Sequence, residues 1–196
     1  MALSTEPAGR RFRYADLAAF PDDNVIREII DGELIVTPAP TTRHQRAVTN
    51  LLLRFGAYRN SHGGDAFAAP TAVFLADDNV VEPDLLFVRA DHLDRVELAY
   101  VNGPPDLVVE ISSPSTRRID IVRKRELYAR FEIPEYWFVD LDAERVEIYR
   151  LEAGTFGTPE LVYPPGTLST PQLPGLRVSV DEALGNPQQP LTTADS

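Results

Sequence analysis

The sequence predicts an α/β or α+β domain built on a mixed β-sheet with helices packed against it. Three observations carry that prediction. Helix-period and strand-period segments follow one another in the order helix, three strands, helix, strand through the middle of the chain. Asp31-Gly32 separates two short apolar runs, and Asp-Gly at that spacing is the strongest short-range hairpin signal. Leu85-Leu86-Phe87-Val88 and Leu107-Val108-Val109-Glu110-Ile111 are short apolar runs of the kind found in strands covered on both faces.

Taken in order, Tyr14 to Phe20 reads as a short helix, and Val25 to Ile30 and Glu33 to Thr37 as an N-terminal β-hairpin. Thr41 or Thr42 can cap a helix running to about Tyr58, with Val48, Leu51, Leu52 and Phe55 on its buried side and Gly63-Gly64 after it. Strands are expected at about Phe67 to Leu75, Leu85 to Val88 and Leu107 to Ser112. A helix follows from Arg117 to Phe131 and breaks before Pro134. Glu135 to Asp140 and Arg145 to Leu151 form a second hairpin, turning at Asp142-Ala143-Glu144. Gly154 to Gly175 holds five of the seventeen prolines, which suits loop and edge strand.

The 196 residues are 43% hydrophobic and 25% charged, enough for one domain with a sizeable core. That domain is expected over residues 10–185. Residues 1–9 and the tail 186–196 have the composition of disordered ends. No apolar run is long enough to cross a membrane, and the first residues lack a signal-peptide layout, so the expectation is a cytoplasmic protein without membrane contact. The absence of cysteine excludes disulfides, thiolate metal sites and a cysteine nucleophile. A metal would then sit on oxygen or imidazole ligands, which favours Mg²⁺ or Mn²⁺. The net charge of −11 argues against coating nucleic acid by bulk electrostatics. Two local basic clusters, Arg10-Arg11-Arg13 and the segment from Arg117 to Arg130, qualify that argument.

The chemistry is concentrated in an imbalance. Eighteen arginines accompany a single lysine, Lys124. Counting in threes and fours from Lys124 reaches Asp120, Ile121, Leu127, Tyr128 and Phe131, the apolar stripe of an amphipathic helix, so the lysine points inward. Ammonium is a compact point charge and guanidinium a planar fork, so a lone inward lysine reads as a chemical requirement. Snorkelling of a chance lysine is the alternative. Carboxylates to meet it come from Val81-Glu82-Pro83-Asp84-Leu85 and from Pro105-Asp106-Leu107-Val108-Val109-Glu110-Ile111-Ser112-Ser113. Pro83 cannot donate to a ladder, which places Asp84 at a sheet margin. Glu110 closes an apolar strand, where an acid is costly unless paired or metal-bound. Asp84, Glu110 and Lys124 would then converge from two strands and one helix, with Ser112 on the face of Glu110.

Those stretches, with Asp31-Gly32-Glu33-Leu34, His44 and Ile133-Pro134-Glu135-Tyr136-Trp137-Phe138-Val139-Asp140, resemble the bacterial Uma2-type restriction endonuclease family of the PD-(D/E)XK phosphodiesterase superfamily. The likeness runs from about Tyr14 to Leu184; only Ile133 departs, where the family commonly has Gly-Val. It implies a restriction-endonuclease-like core and a Mg²⁺-dependent site. Asp84 and Glu110 match the metal-binding acids and Lys124 the lysine relocated to the helix. Glu33 matches a hairpin acid that could join the metal. Asp120, one turn before Lys124, is expected to fix that lysine. His44 falls in the first turn of its helix, where a surface or capping histidine is the expectation and contact with phosphate or water the alternative.

The function so expected is a Mg²⁺- or Mn²⁺-dependent endonuclease acting on DNA. Arg117, Arg118 and the Arg10 to Arg13 cluster are candidate phosphate contacts, and a homodimer would bring two sites to a duplex. The alternatives are a non-catalytic interaction module that keeps the fold, or a phosphodiesterase acting on RNA or a small nucleotide through the same site.

Overall fold

A computed structural model of the chain describes residues 10–21, 23, 25–113 and 117–186. The expected disordered ends (all but Asn186) and Pro114, Ser115 and Thr116 of the Glu110 motif lie outside the described residues.

The chain runs through α1 (Tyr14–Leu17), β1 (Ile26–Ile30), β2 (Glu33–Thr37), α2 (Thr42–His62), β3 (Asp65–Ala68), β4 (Val73–Ala76), β5 (Asn79–Val81) and β6 (Leu85–Val88). A 3₁₀ turn (Ala90–Arg95), β7 (Val101–Asn102) and β8 (Leu107–Ile111) follow. A π-helical turn (Ile119–Lys124) leads directly into α3 (Arg125–Arg130), then β9 (Glu135–Asp140) and β10 (Arg145–Glu152). Short elements close the chain: β11 (Thr155–Phe156), β12 (Glu160–Val162), β13 (Thr167–Leu168), β14 (Val178–Ser179) and α4 (Val180–Ala183).

The mixed sheet predicted from the sequence is the larger one. Its order is β11-β10-β9-β8-β6-β3, with β12 beside β10, and only β8 and β9 run parallel. A second sheet, β2-β1-β5-β4-β7, grows from the N-terminal hairpin. Its turn has positive φ at both central residues, 52° at Asp31 and 73° at Gly32, the geometry that matches a hairpin's twist.

Alternation along β6 and β8 divides the core in two. Leu85, Phe87, Leu107, Val109 and Ile111 face α2 through Ala47, Leu51 and Phe55, with α4 at the edge. Leu86, Val88 and Val108 face the opposite way, against Leu127 and Tyr128 of α3 and Ile30, Val73 and Val81 of the second sheet. The larger sheet is thus covered by α2 on one face and by α3 with the smaller sheet on the other. By the same alternation Glu110 points to the second face, between the two sheets.

Four expectations are corrected. The helix expected over Tyr14 to Phe20 stops after one turn, at Leu17. The helix after Thr41 runs four residues past Tyr58, to His62, before Gly63 ends it with a positive φ. The single strand expected over Phe67 to Leu75 is two strands in two sheets, separated around Pro70, which has no amide hydrogen for a ladder. The helix expected over Arg117 to Phe131 contains a π turn, with the Arg125 amide donating to Asp120 O five residues back. Asp120 and Lys124, both buried, lie within this turn, and such turns are frequent at functional sites.

Candidate active site

Asp84 stands one residue before β6, Glu110 in neighbouring β8, and Lys124 at the end of the π turn. The lysine lies almost wholly inside, 4% exposed, beside Glu110 at 3% and Glu28 at 1%. Its Nζ donates to Glu110 Oε1 at 2.9 Å and sits 2.8 Å from Glu28 Oε1 and 3.8 Å from Asp120 Oδ1. The Tyr128 hydroxyl donates to the same Glu110 oxygen. Glu28 Oε1 also accepts from the Glu82 amide at 2.8 Å, tying the first hairpin to the segment that carries Asp84. These groups line one cavity of about 380 Å³, bounded by Glu28, Glu82, Asp84, Glu110, Asp120 and Lys124 and walled further out by Val48, Pro38 and Pro70.

The electrostatics follow from the count: apart from Asp23, which pairs with Arg27, five carboxylates share the cavity with one ammonium. Burial alone would depress the Lys124 pKa, but Glu110, Glu28 and Asp120 outweigh it and hold the ammonium well above its ordinary value. Burial raises the Glu110 carboxyl well above the usual carboxylate range. Lys124 opposes that rise, while the charges of Asp120, Asp84 and Glu28 add to it. Burial, then the charge of Glu28, pushes Glu82 up to about 7. Burial and the charge of Glu110 keep the Tyr128 phenol protonated as a donor. The site is short of positive charge and retains protons to compensate.

Several expected residues take other places. Glu33 is not brought to the cavity; its carboxylate is 67% exposed and bonded to Arg123 at 3.0 Å. The hairpin acid that does arrive is Glu28, on the neighbouring strand. The Ser112 hydroxyl accepts from the Leu141 amide at 2.9 Å, away from the cavity. His44, expected at the surface or as a cap, is 6% exposed and places Nε2 3.1 Å from Asp84 Oδ2. Arg117 lies 2.7 Å from the fully buried Asp140, Arg118 is exposed, and Arg10, Arg11 and Arg13 pair with Asp16, Asp78 and Asp77.

Glu28 and Glu82 were missed, although each carried a signal. Glu28 interrupts the apolar run Val25 to Ile30 at a position sharing the face of Ile30, the same anomaly that singled out Glu110. Glu82 stands two residues before Asp84.

Among the described residues, no three histidine, aspartate or glutamate side chains form a ready-made metal cage. Mg²⁺ requires no such cage, since it takes one or two carboxylates and completes its shell with water and substrate phosphate. Asp84 and Glu110 could supply those carboxylates. Glu82 Oε2, a buried oxygen without a hydrogen-bond partner, and the surplus of acids give a cation further reason to enter.

The family model Uma2, described as "Putative restriction endonuclease", matches residues 13–181. The crystal structure of a putative nuclease belonging to DUF820 from Anabaena variabilis superposes with a TM-score of 0.74 at 18% identity, covering 88% of this chain and 97% of that one. No curated protein matches the chain.

Proposed function

The chain belongs to the Uma2 family, and from that premise we propose that it is a divalent-metal-dependent nuclease that hydrolyses phosphodiester bonds of DNA. The observation that carries the reading is the only lysine of the chain, held 2.9 Å from Glu110 in a cavity that Asp84 also lines. An arginine-rich chain that places its one ammonium among buried acids has built a site for a compact oxyanion. Asp84 and Glu110 would hold Mg²⁺ or Mn²⁺, which when bound polarises a phosphate and acidifies water.

The remaining work falls to the chain's own side chains. Lys124 Nζ, kept charged by three acids, stabilises the negative charge that develops on phosphorus-bound oxygen and orients the attacking water. Glu28 and Asp120 set the position of that ammonium from two directions. Tyr128 fixes one oxygen of Glu110, which leaves Oε2 for the cation. The arrangement needs no covalent intermediate.

The test is cleavage of plasmid, single-stranded DNA and RNA with Mg²⁺ or Mn²⁺ by the wild-type chain, Glu110→Gln and Lys124→Arg. Metal-dependent DNA cleavage lost in both variants supports the reading. RNA cleavage alone transfers the site to another nucleic acid. A wild-type chain that cleaves nothing in either metal refutes it.

A further inference from the structure

We propose that His44 is a positioning residue for Asp84, holding its carboxylate so that Oδ1 is the oxygen offered to the cation. The inference rests on the nuclease reading above and assigns a role to a buried imidazole that this reading leaves unused.

A carboxylate only accepts, so the 3.1 Å contact between His44 Nε2 and Asp84 Oδ2 requires the proton on Nε2. The same oxygen accepts the Ile111 amide at 2.7 Å. Two donors occupy the two acceptor directions of Oδ2, so Oδ1 is the oxygen left open among the described residues. Ile111 directly follows Glu110, so one bond sets Asp84 from the strand that carries the second acid. The other sets it from α2, on the opposite side of the sheet's core.

The donor is delivered on a rigid element. The His44 amide bonds to the capping Thr41 hydroxyl at 3.3 Å, and Arg43 anchors the helix start to Leu141 O and Leu184 O at 2.9 and 3.1 Å. A residue there only for packing would not need a second ring nitrogen. Among the described residues His44 Nδ1 is buried with no hydrogen-bond partner, a cost that phenylalanine or leucine would avoid. The cost is explained if the Nε2 donor is what the position requires. Partners that orient a ligating side chain are worth about 10- to 100-fold in metal affinity.

The experiment is Mn²⁺ binding by calorimetry to the wild-type chain, His44→Phe and His44→Gln, with melting of each in EDTA. His44→Phe is expected to bind Mn²⁺ about 10- to 100-fold more weakly while melting close to wild type, and His44→Gln, which keeps a donor, to stay within about threefold. Wild-type affinity in His44→Phe overturns the inference and leaves the nuclease reading standing. Equal loss in His44→Gln and His44→Phe also overturns it, because the donor would then be irrelevant. A wild-type chain that takes up no Mn²⁺ refutes the metal site itself. Should His44→Phe fold poorly, ¹⁵N NMR of the wild-type imidazole decides: a neutral ring protonated on Nδ1 instead of Nε2 sinks the proposal.

Discussion

Glu82→Gln should make the metal-free chain more stable at alkaline pH and leave it nearly unchanged at acid pH. The Glu82 carboxyl is raised from 4.5 to about 7 by burial and by the charge of Glu28. An acid with a raised folded-state pKa binds more protons folded than unfolded between those two values. Stability therefore falls as pH rises from about 4.5 to about 7, and the full penalty is present above that window. At 1.36 kcal/mol per unit the shift is worth at most about 3.4 kcal/mol. The carboxyl is only partly buried, and solvent screening reduces this to about 1–2 kcal/mol. For a domain of this size that corresponds to roughly 3–6 °C in melting temperature. Glutamine keeps the shape of the protonated acid and cannot ionise. Melting both proteins in EDTA from pH 5 to pH 8.5 should give curves that meet near pH 5 and separate by that amount at pH 8.5, with the variant higher. The Glu110 carboxyl tilts both curves the same way, so their separation is the quantity that counts. Parallel curves would show that Glu82 does not titrate in this window and would refute the argument.

Mn²⁺ binding should tighten between pH 6 and pH 8 with proton release, because cavity acids must ionise to receive the cation; calorimetry in two buffers of different ionisation heat measures the protons released. Lys124→Met leaves Glu28, Glu110 and Asp120 without their counter-charge. It should destabilise the chain by about 3–5 kcal/mol at pH 8 and by less at pH 5, where the Glu110 carboxyl, raised by burial, takes up a proton, as read from urea midpoints. Arg117→Met removes the close cationic partner of buried Asp140, leaving Arg145 at 4.0 Å and the Ala143 amide at 3.1 Å, and should cost about 3 kcal/mol in urea unfolding. If Arg117 instead contacts phosphate, the variant would change the salt dependence of DNA binding and leave stability intact. Gly64→Ala would put a methyl 2.6 Å from Val88 O at a positive φ of 88°, and a melting temperature equal to wild type would refute that clash.

The elements readable from the sequence are those in which local signals and tertiary demand agree. Asp31-Gly32 dictates its turn without help from the rest of the chain, and the apolar runs of β6 and β8 admit no solvent-facing side. The π turn was not readable, since Arg117 to Phe131 has ordinary helical spacing. The site divides along the same line. Lys124 stood out by composition, and Asp84 and Glu110 by acids beside apolar strands. The resemblance points to Glu33, yet Glu33 pairs with Ile30 and so shares the face of Glu28; the two differ in that only Glu28 lies on the strand that also pairs with β5, through Ile29↔Val80. That Ile29↔Val80 pairing is a long-range contact, invisible to any local pattern.

The geometry also accounts for a lysine at this position in a chain that uses arginine everywhere else. Glu110 and Glu28 approach Nζ at 2.9 and 2.8 Å from two different sheets, and Asp120 lies at 3.8 Å one turn back along the same helix. Two close acceptors arriving from separate sheets suit the point charge of an ammonium and mismatch the flat fork of a guanidinium, which seeks paired oxygens in one plane; Asp120 lies beyond hydrogen-bond distance, so under the proposed function the third donor serves the substrate. A guanidinium would also need more volume between Tyr128 and Glu28, both fully packed. The surplus of acids sharpens the point. With five carboxylates and one ammonium the cavity could be neutralised by more arginines, and the chain has eighteen of them. It keeps them out of the cavity lining, where they pair with surface acids, with buried Asp140, Glu135 and Glu147, or with backbone carbonyls, and leaves the deficit of the cavity unmet by arginine. A structural ion-pair network would balance its charges within the fold; under the proposed function the last partner of this one is a divalent cation from solution.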